Sequence, residues 1–343
     1  MIVRSHEVTT VHKLLDENGH LVEPGWSRSL IQLYDRNDIK KSKWRIKEWD
    51  YYYIMSNEHQ FCLCMTVSDL GYLGLNSVNF VNFKDATHQT DSVIVPFPMG
   101  KFHMPSTTAA GDVLYGTKKL ALEFAHTEKG RVLRLNYPTF DGGKGIRANI
   151  LLSDEPQDSM VIATPWDEDP KAFYYNQKIV CMRASGKVEY DGKTYELNPQ
   201  KDFGGLDWGR GVWTYDNFWY WGSGSGQVDG VPFGFNIGYG FGNTSAASEN
   251  VIFYNGIAHK IDDVQFHISE NYIDPWKFTS SDGRFEMDFV PVVDRAAKID
   301  LKAIVTDQHQ VFGRMTGTAV LDDGTEIHIK DFLCFAEEVH NKY

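Results

Sequence analysis

"DWGRGVWTYDNFWYWGSGSGQVDGVPFGFNIGYGFG" occupies residues 207–242 and combines aromatic rings, glycines and charged groups in a single run. The stretch is too apolar for an ordinary surface loop and too rich in glycine for an ordinary core strand. At its centre, Asp229 and Gly230 lie between two arms in which large and small residues alternate. An Asp-Gly pair in that setting predicts a two-residue primed turn. We therefore predict a long β-hairpin here.

The predicted turn, with Val228 opposite Val231, determines which residues face one another across the hairpin. On one side, each of three glycines faces a large apolar residue: Gly226 and Phe233, Gly224 and Phe235, and Gly222 and Ile237. On the other side, rings and polar groups mostly face glycine: Trp219 and Gly240, Trp221 and Gly238, Ser223 and Asn236, and Ser225 and Gly234. Interior glycines weaken a strand, so their repetition indicates room made for a ring or a ligand. We expect the first side to pack in a core and the second to bind a ligand or pack on another lobe.

The rest of the chain shows the same β pattern. Period-two alternation bounded by turn residues recurs in five further segments: 119–124, 131–137, 146–152, 187–197 and 324–332. With 343 residues, of which 14% are aromatic, the chain is long enough for two lobes and favours β structure. Because helical crossovers are missing, we predict an all-β protein of two tandem antiparallel barrels or sandwiches with few short helices.

We place the boundary between the two predicted lobes near residue 185. Three prolines, at positions 156, 165 and 170, interrupt the strand rhythm, and the strand-like segment 173–182 then closes the first lobe. The predicted domains are therefore residues 1–185 and residues 186–343.

The net charge of −12 argues against nucleic acid or an anionic membrane as the main partner, because both would be repelled. No signal-peptide pattern is present, and no apolar segment approaches the roughly 20 residues that span a bilayer. We expect a cytoplasmic protein. Its four cysteines and twelve histidines lack the spacing of zinc ligands, so we expect no metal site.

The segment just upstream of the hairpin contains the candidate catalytic residue. In "GGLDWGRGVWTYDN", Asp207 lies among Trp208, Trp213 and Tyr215, and Arg210 follows three residues later. Carboxylates avoid apolar surroundings unless they are paired. Asp207 is therefore either an acid or base with a perturbed pKa or a structural partner of Arg210, which is alternatively an anchor for the ligand.

Several motifs resemble those of the bacterial family known as domain of unknown function 2804. They are "NYPTFDGGKG", "FYYNQKIVCM", "LDWGRGVW", "FWYWGSGSGQVDGVPFGFNIGYGFG", "ENVIFYNGIAHKI" and "GRMTGTAVLDDGTEIHIKDFLCFAEEV", and together they extend over nearly the whole chain. More distantly, the order of a "DW" element, a tryptophan-rich strand and an Asp-Gly turn resembles the two-lobed lipocalin-like superfamily. That group includes carotenoid hydratases, tocopherol cyclase-like proteins and fungal Diels-Alderases. The resemblance implies lipocalin-like lobes, an apolar substrate, an acidic side chain within aromatic walls, and no redox cofactor or metal.

The leading hypothesis is a cofactor-independent hydratase, lyase, isomerase or cyclase that uses Asp207 as its acid or base. Burial beside indole rings would raise the pKa of this carboxyl into the range of general acid catalysis. The predicted substrate-binding residues are those that surround Asp207 or face the second side of the hairpin, together with Tyr239: Trp208, Arg210, Trp213, Tyr215, Trp219, Trp221, Asn236 and Tyr239.

Two alternatives remain open. In a carbohydrate-active enzyme, tryptophan faces stack on sugar rings while Asp207, Asp216 and Asp141 provide the acid and base. In a carrier of a hydrophobic metabolite, the β lobes hold the ligand and Asp207 is structural.

Overall fold

The computed structural model describes residues 5–300 and 305–342, and within them the protein is almost entirely β. Two large curled sheets form two lobes, which confirms the predicted fold class. Helical structure among the described residues is confined to three short segments: Arg36–Asp38, Lys43–Arg45 and Phe140–Gly143. None of the helices in the described part of the chain is long and apolar enough to cross a membrane.

Thirteen strands form the first sheet within the described residues, and a separate parallel pair joins β1 to β3. The strands of this part of the chain are β1 His12–Lys13, β2 Gly25–Ser27, β3 Gln32–Leu33, β4 Ile46–Ser56, β5 Phe61–Asp69, β6 Leu73–Asn82, β7 Thr87–Pro96, β8 Val113–Gly116, β9 Ala121–Thr127, β10 Gly130–Tyr137, β11 Ile146–Ser153, β12 Met160–Pro165, β13 Phe173–Tyr190, β14 Lys193–Leu197 and β15 Phe203–Val212. The main order is β7-β6-β5-β4-β15-β13-β11-β10-β9-β8, with β12 and β14 paired to β13 and β2 paired to β12. All pairs within the sheet are antiparallel.

Nine strands form the second sheet over the same described ranges. They are β16 Asp216–Val228, β17 Val231–Tyr239, β18 Val251–Tyr254, β19 Ile257–Lys260, β20 Val264–His267, β21 Trp276–Ser280, β22 Phe285–Asp300, β23 Val305–Val320 and β24 Glu326–Lys342. Their order, β19-β18-β17-β16-β24-β23-β22-β21-β20, places the C-terminal strand in the middle of the sheet, beside the tryptophan-rich strand β16.

The chain passes from the first sheet to the second between Val212 and Asp216. The boundary predicted near residue 185 falls inside β13, Phe173–Tyr190, which pairs with neighbours of the first sheet on both sides of a bulge between Ile179 and Met182. The short connection gives no composition signal, because Trp213 and Thr214 are buried like the strands around them. We therefore propose that the two lobes divide at residues 212–216.

The predicted hairpin forms with the predicted register, from Val228–Val231 to Tyr220–Tyr239. Asp229 and Gly230 have φ values of 50° and 80°, as a primed turn requires. The ladder ends at Tyr239, before the expected Trp219–Gly240 pair, because Gly240 turns away with a φ of 97°.

Alternation along β15 determines what the two faces of the first sheet present. Trp208 and Arg210 point into the core of the first lobe, whereas Asp207 faces the second sheet. Glycines on the Asp207 face accommodate rings from β4: a Cβ added at Gly209 would lie 2.0 Å from the Trp49 ring. Because Gly209 has no side chain, the Trp49 ring can lie flat against β15, beside Asp207.

Candidate functional site

A cavity of about 240 Å³ lies between the two sheets rather than inside either lobe. Both curled sheets are filled by side chains, with Phe233, Phe235 and Ile237 packed in the second lobe as the hairpin pattern predicted. Seven aromatic side chains form the aromatic wall of the cavity: Trp49, Tyr51, Tyr174, Trp213, Trp219, Trp221 and Phe241. A larger, more open depression of about 580 Å³ on the outer face of β8–β11 contains none of the predicted site residues.

Asp207 lines this cavity and is only 7% exposed. Its Oδ1 accepts a hydrogen bond from Asn176 Nδ2 at 2.6 Å and lies 2.9 Å from Lys178 Nζ. Its Oδ2 accepts a hydrogen bond from Trp49 Nε1 at 3.1 Å. These three partners come from β4 and β13, the strands on either side of β15, so the sheet itself fixes the carboxylate.

The cation that pairs with Asp207 is Lys178, a buried residue of β13 that sequence analysis did not select. Its Nζ also lies 4.0 Å from the centre of the Trp221 ring on the second sheet, within cation–π range. The sequence feature that could have identified Lys178 is its position in the middle of the largely apolar strand segment "FYYNQKIVCM". Lys178 thus connects the two sheets at the cavity.

Arg210, predicted as the partner of Asp207 or as a ligand anchor, lies on the opposite face of β15. It is completely buried, and its Nη2 donates to Asp50 Oδ1 at 3.0 Å. Its remaining donors reach the backbone carbonyls of Trp49, Gly209 and Pro105. Residues three apart in a strand point to opposite faces, so Arg210 does not reach the cavity.

The structure brings three of the predicted binding residues to the cavity: Trp213, Trp219 and Trp221. The others lie elsewhere. Trp208 packs inside the first lobe, Tyr215 is 47% exposed, and Tyr239 packs against the core of the second lobe. Asn236 is buried behind the wall, where its Oδ1 accepts from Trp221 Nε1 at 2.7 Å and orients that indole. Its role is to position Trp221.

The three aspartates of the carbohydrate hypothesis do not meet. Asp216 is exposed at the edge of β16, where it pairs with His340 at 2.7 Å and Lys342 at 2.9 Å. Asp141 has a φ of 51° in a turn and binds Lys144 and Tyr190. Among the described residues, no group of three or more His, Cys, Asp or Glu side chains is placed to hold a metal ion.

The second carboxyl of the cavity is Glu337 on β24, which sequence analysis missed. Its Oε1 accepts from Trp219 Nε1 at 2.9 Å, and its Oε2 accepts from Gln310 Nε2 at 3.0 Å. Burial raises the pKa of Glu337 from its ordinary value of 4.5 to about 7, against the smaller opposing effects of the Trp219 hydrogen bond, Arg295 and Lys178. The sequence feature that could have identified Glu337 is an acidic residue at the end of the apolar run in "FLCFAEEV".

The chain matches the model of the family described as domain of unknown function (DUF2804) over residues 5–343. Among solved structures it resembles a protein of Nitrosomonas europaea described as AttH, with 13% identity, 90% of this chain and 94% of that chain covered, and a TM-score of 0.52. It also matches kievitone hydratase of Nectria haematococca, with 9% identity, coverage of 97% and 98%, and a TM-score of 0.45. A third match is CghA with Sch210972, with 10% identity, coverage of 96% and 97%, and a TM-score of 0.44. No curated protein matches the chain.

Proposed function

The chain belongs to the DUF2804 family, and from its cavity we propose that it is a small-molecule enzyme of non-redox type, a hydratase, lyase, isomerase or cyclase. The observation that carries the proposal is the Glu337 carboxyl, which has a pKa of about 7 and faces a cavity with an aromatic wall. A group with that pKa both gives and takes a proton readily at neutral pH.

Glu337 suits proton transfer better than Asp207, the residue that the sequence indicated. Protonating Asp207 would weaken its contacts with Lys178, Asn176 and Trp49 together. Glu337 accepts hydrogen bonds from two neutral groups and can exchange a proton at lower cost. In this proposal, Asp207 is a positioning residue that holds Lys178 at the cavity wall.

The aromatic wall defines the other half of the site. Flat rings of Trp213, Trp219 and Phe241 form a group in which neighbouring centroids lie 5.3–6.2 Å apart. Such faces exclude water, pack against an apolar substrate and stabilise a cation that develops during proton addition to a double bond. The cavity of about 240 Å³ lies below the usual range of ligand pockets, about 300–1,000 Å³, so the substrate is small.

The test is solvent deuterium incorporation. A library of small unsaturated and cyclic compounds is incubated with the protein in D₂O and analysed by mass spectrometry for deuterium gain, isomerisation, or gain or loss of water. The wild type should convert at least one compound, and Glu337→Gln should slow that conversion by roughly 10²–10⁴-fold because it keeps the shape but loses the proton. Asp216→Asn, a carboxylate change outside the cavity, is the matched control.

Two results would contradict this proposal. Recovery of every bound compound unchanged would favour the carrier hypothesis, and equal conversion by wild type and Glu337→Gln would remove Glu337 from the chemistry. Cleavage of a glycoside would instead support the carbohydrate alternative, with Asp207 and Glu337 in place of the three aspartates expected from the sequence.

A further inference from the structure

Arg295 is a charged residue in the cavity that the proposed chemistry does not use. It lies on β22 and lines the cavity from the second sheet. Within residues 5–300 and 305–342 it forms no hydrogen bond or ion pair, and its Nε is buried without a partner. A guanidinium carries five N–H donors, and a buried donor left unsatisfied is costly. This contrasts with Arg210, whose guanidinium is bonded on every nitrogen.

Arg295 belongs to a row of side chains that crosses the second sheet. Arg295 pairs with Gln310, Gln310 pairs with Glu337, and Glu337 pairs with Trp221 across adjacent strands. All four face the cavity. Neighbouring strands lie about 4.8 Å apart, so the Arg295 and Glu337 backbones are about 10 Å apart. The row therefore places a cation, an amide, a proton donor and an indole along one line.

Other polar atoms of the cavity also lack partners among the described residues. They are the side-chain oxygens of Asn79, Gln310 and Asn341 and the indole nitrogen of Trp213. Buried polar atoms are almost always hydrogen-bonded. The unpaired amide oxygens suit hydroxyl or N–H groups, while the unpaired guanidinium suits an anion.

The charges around the cavity favour a single negative charge on the ligand. Lys178 and Asp207 neutralise each other at 2.9 Å. Lys47 donates to the carbonyl of Leu70 at 3.0 Å, and burial lowers its pKa to about 7, so it carries only part of a charge near neutral pH. With Glu337 protonated, a monoanion balances Arg295, whereas a phosphate dianion would bring a second negative charge that no further cation of the cavity fully balances. A carboxylate also matches the planar fork of a guanidinium.

We propose that the cavity binds a small carboxylic acid whose carboxylate pairs with Arg295 and whose apolar body extends along the row to Glu337 and the tryptophans. This inference deepens the proposed function and rests on the same cavity. It names the substrate class as small cyclic or unsaturated acids, with hydroxyl substituents accepted by the amide oxygens.

The experiment compares acids with their uncharged amides in binding to the full chain. Isothermal titration calorimetry at pH 6 uses benzoate, trans-cinnamate, 3-phenylpropanoate and 3-(4-hydroxyphenyl)propanoate, each beside its primary amide. The protein is tested as wild type, Arg295→Gln, Arg295→Lys and Arg134→Gln. Arg134 is the matched control, because it is exposed and pairs with Glu123 far from the cavity. Arg295 makes no bond to other described residues, so its replacement leaves the fold intact, which circular dichroism verifies.

The wild type should bind at least one acid more tightly than its amide by roughly ten- to a hundredfold, the strength of a charged hydrogen bond. Arg295→Gln should abolish that preference, Arg295→Lys should retain part of it, and Arg134→Gln should match the wild type. The proposal is overturned when no acid in the panel outbinds its amide, including the case in which nothing binds, or when Arg295→Gln keeps the preference. Binding needs no turnover, so an acid preference without deuterium incorporation would reject the enzyme but keep this inference.

Discussion

Two buried charges three residues apart on β15 have opposite surroundings. Arg210 lies within the first lobe, in a group with Tyr34, Arg36, Glu48 and Asp50 that we term the sealed network. Asp207 lies on the other face, at the cavity between the sheets. Apart from Arg36, whose side chain is 22% exposed, the residues of the sealed network are buried in protein, whereas Asp207 and Glu337 border space that a small molecule can enter.

The comparison shows that burial and charge alone do not identify a functional residue. Arg210 is charged and even more deeply buried than Asp207, but it is not available to a ligand, because every nitrogen of its guanidinium is bonded to the protein. Removing one partner from such a network leaves another charge buried and unpaired. The residues of the cavity can instead exchange a protein partner for a ligand. Four predictions test this difference.

The largest expected effect is on stability, from Arg210→Met. It leaves Asp50 buried without its cation and leaves Glu48 with Arg36 alone, which should lower the free energy of unfolding by about 3–5 kcal/mol. Urea denaturation at pH 7 measures the loss. Arg134→Met, which breaks an exposed pair with Glu123, should cost less than about 1 kcal/mol. Equal losses would mean that the sealed network does not stabilise the fold.

The second prediction concerns the pH dependence that Glu337 confers. Its pKa is about 7 in the folded protein and ordinarily 4.5, so the folded state binds the extra proton between these values. The resulting stability is fully present below pH 4.5 and is lost as pH rises through about 7, a change on the order of 3 kcal/mol. Glu337→Gln should remove this loss. Denaturant titrations from pH 4 to pH 8 provide the measurement.

Other groups titrate in the same pH range, so the contribution of Glu337 is measured as the difference between the wild-type and Glu337→Gln stability curves. Lys178, Asp207 and Arg295 are the charged groups that act on Glu337. Burial lowers the pKa of both Lys47 and Lys260 to about 7, which makes stability rise above that pH. A Glu337→Gln curve parallel to the wild-type curve would show that Glu337 titrates normally.

Asp207→Asn should have an intermediate effect, because it removes the carboxylate paired with Lys178. The expected loss is about 1.5–3 kcal/mol by urea denaturation at pH 7. Asp207 also raises the pKa of Glu337, so the pH midpoint assigned to Glu337 should move down. Asp216→Asn is the matched control, with a cost below about 1 kcal/mol because Asp216 is exposed. An unchanged midpoint would show that the charge of Asp207 does not affect the pKa of Glu337.

Trp219→Phe should produce the smallest change. It keeps a ring in the aromatic wall but removes the N–H that donates to Glu337 at 2.9 Å. That hydrogen bond lowers the pKa of Glu337, so its loss should move the midpoint up, opposite to the effect of Asp207→Asn. The same denaturant titrations measure both shifts, and a downward shift in Trp219→Phe would contradict the assigned contact.

The candidate site was only partly predictable. Asp207 was selected as a carboxylate in apolar surroundings and Trp221 as a ring that faces a glycine across the hairpin, and both lie at the cavity. Trp208 and Arg210 were selected as neighbours of Asp207, but they point into the core of the first lobe because alternate residues of a strand face opposite sides of the sheet. Glu337 and Arg295 were missed because each belongs to a strand far along the chain from Asp207.

The amino-acid sequence by itself determined the all-β class and the hairpin with its Asp229-Gly230 turn and side-chain register, because these depend on local backbone preferences and on alternation within one segment. The tertiary structure alone decided that Asp207 and Lys178 of the first sheet meet Glu337 of the second sheet across a cavity. Their proximity depends on how two sheets pack face to face, and no local pattern in either sheet specifies that packing.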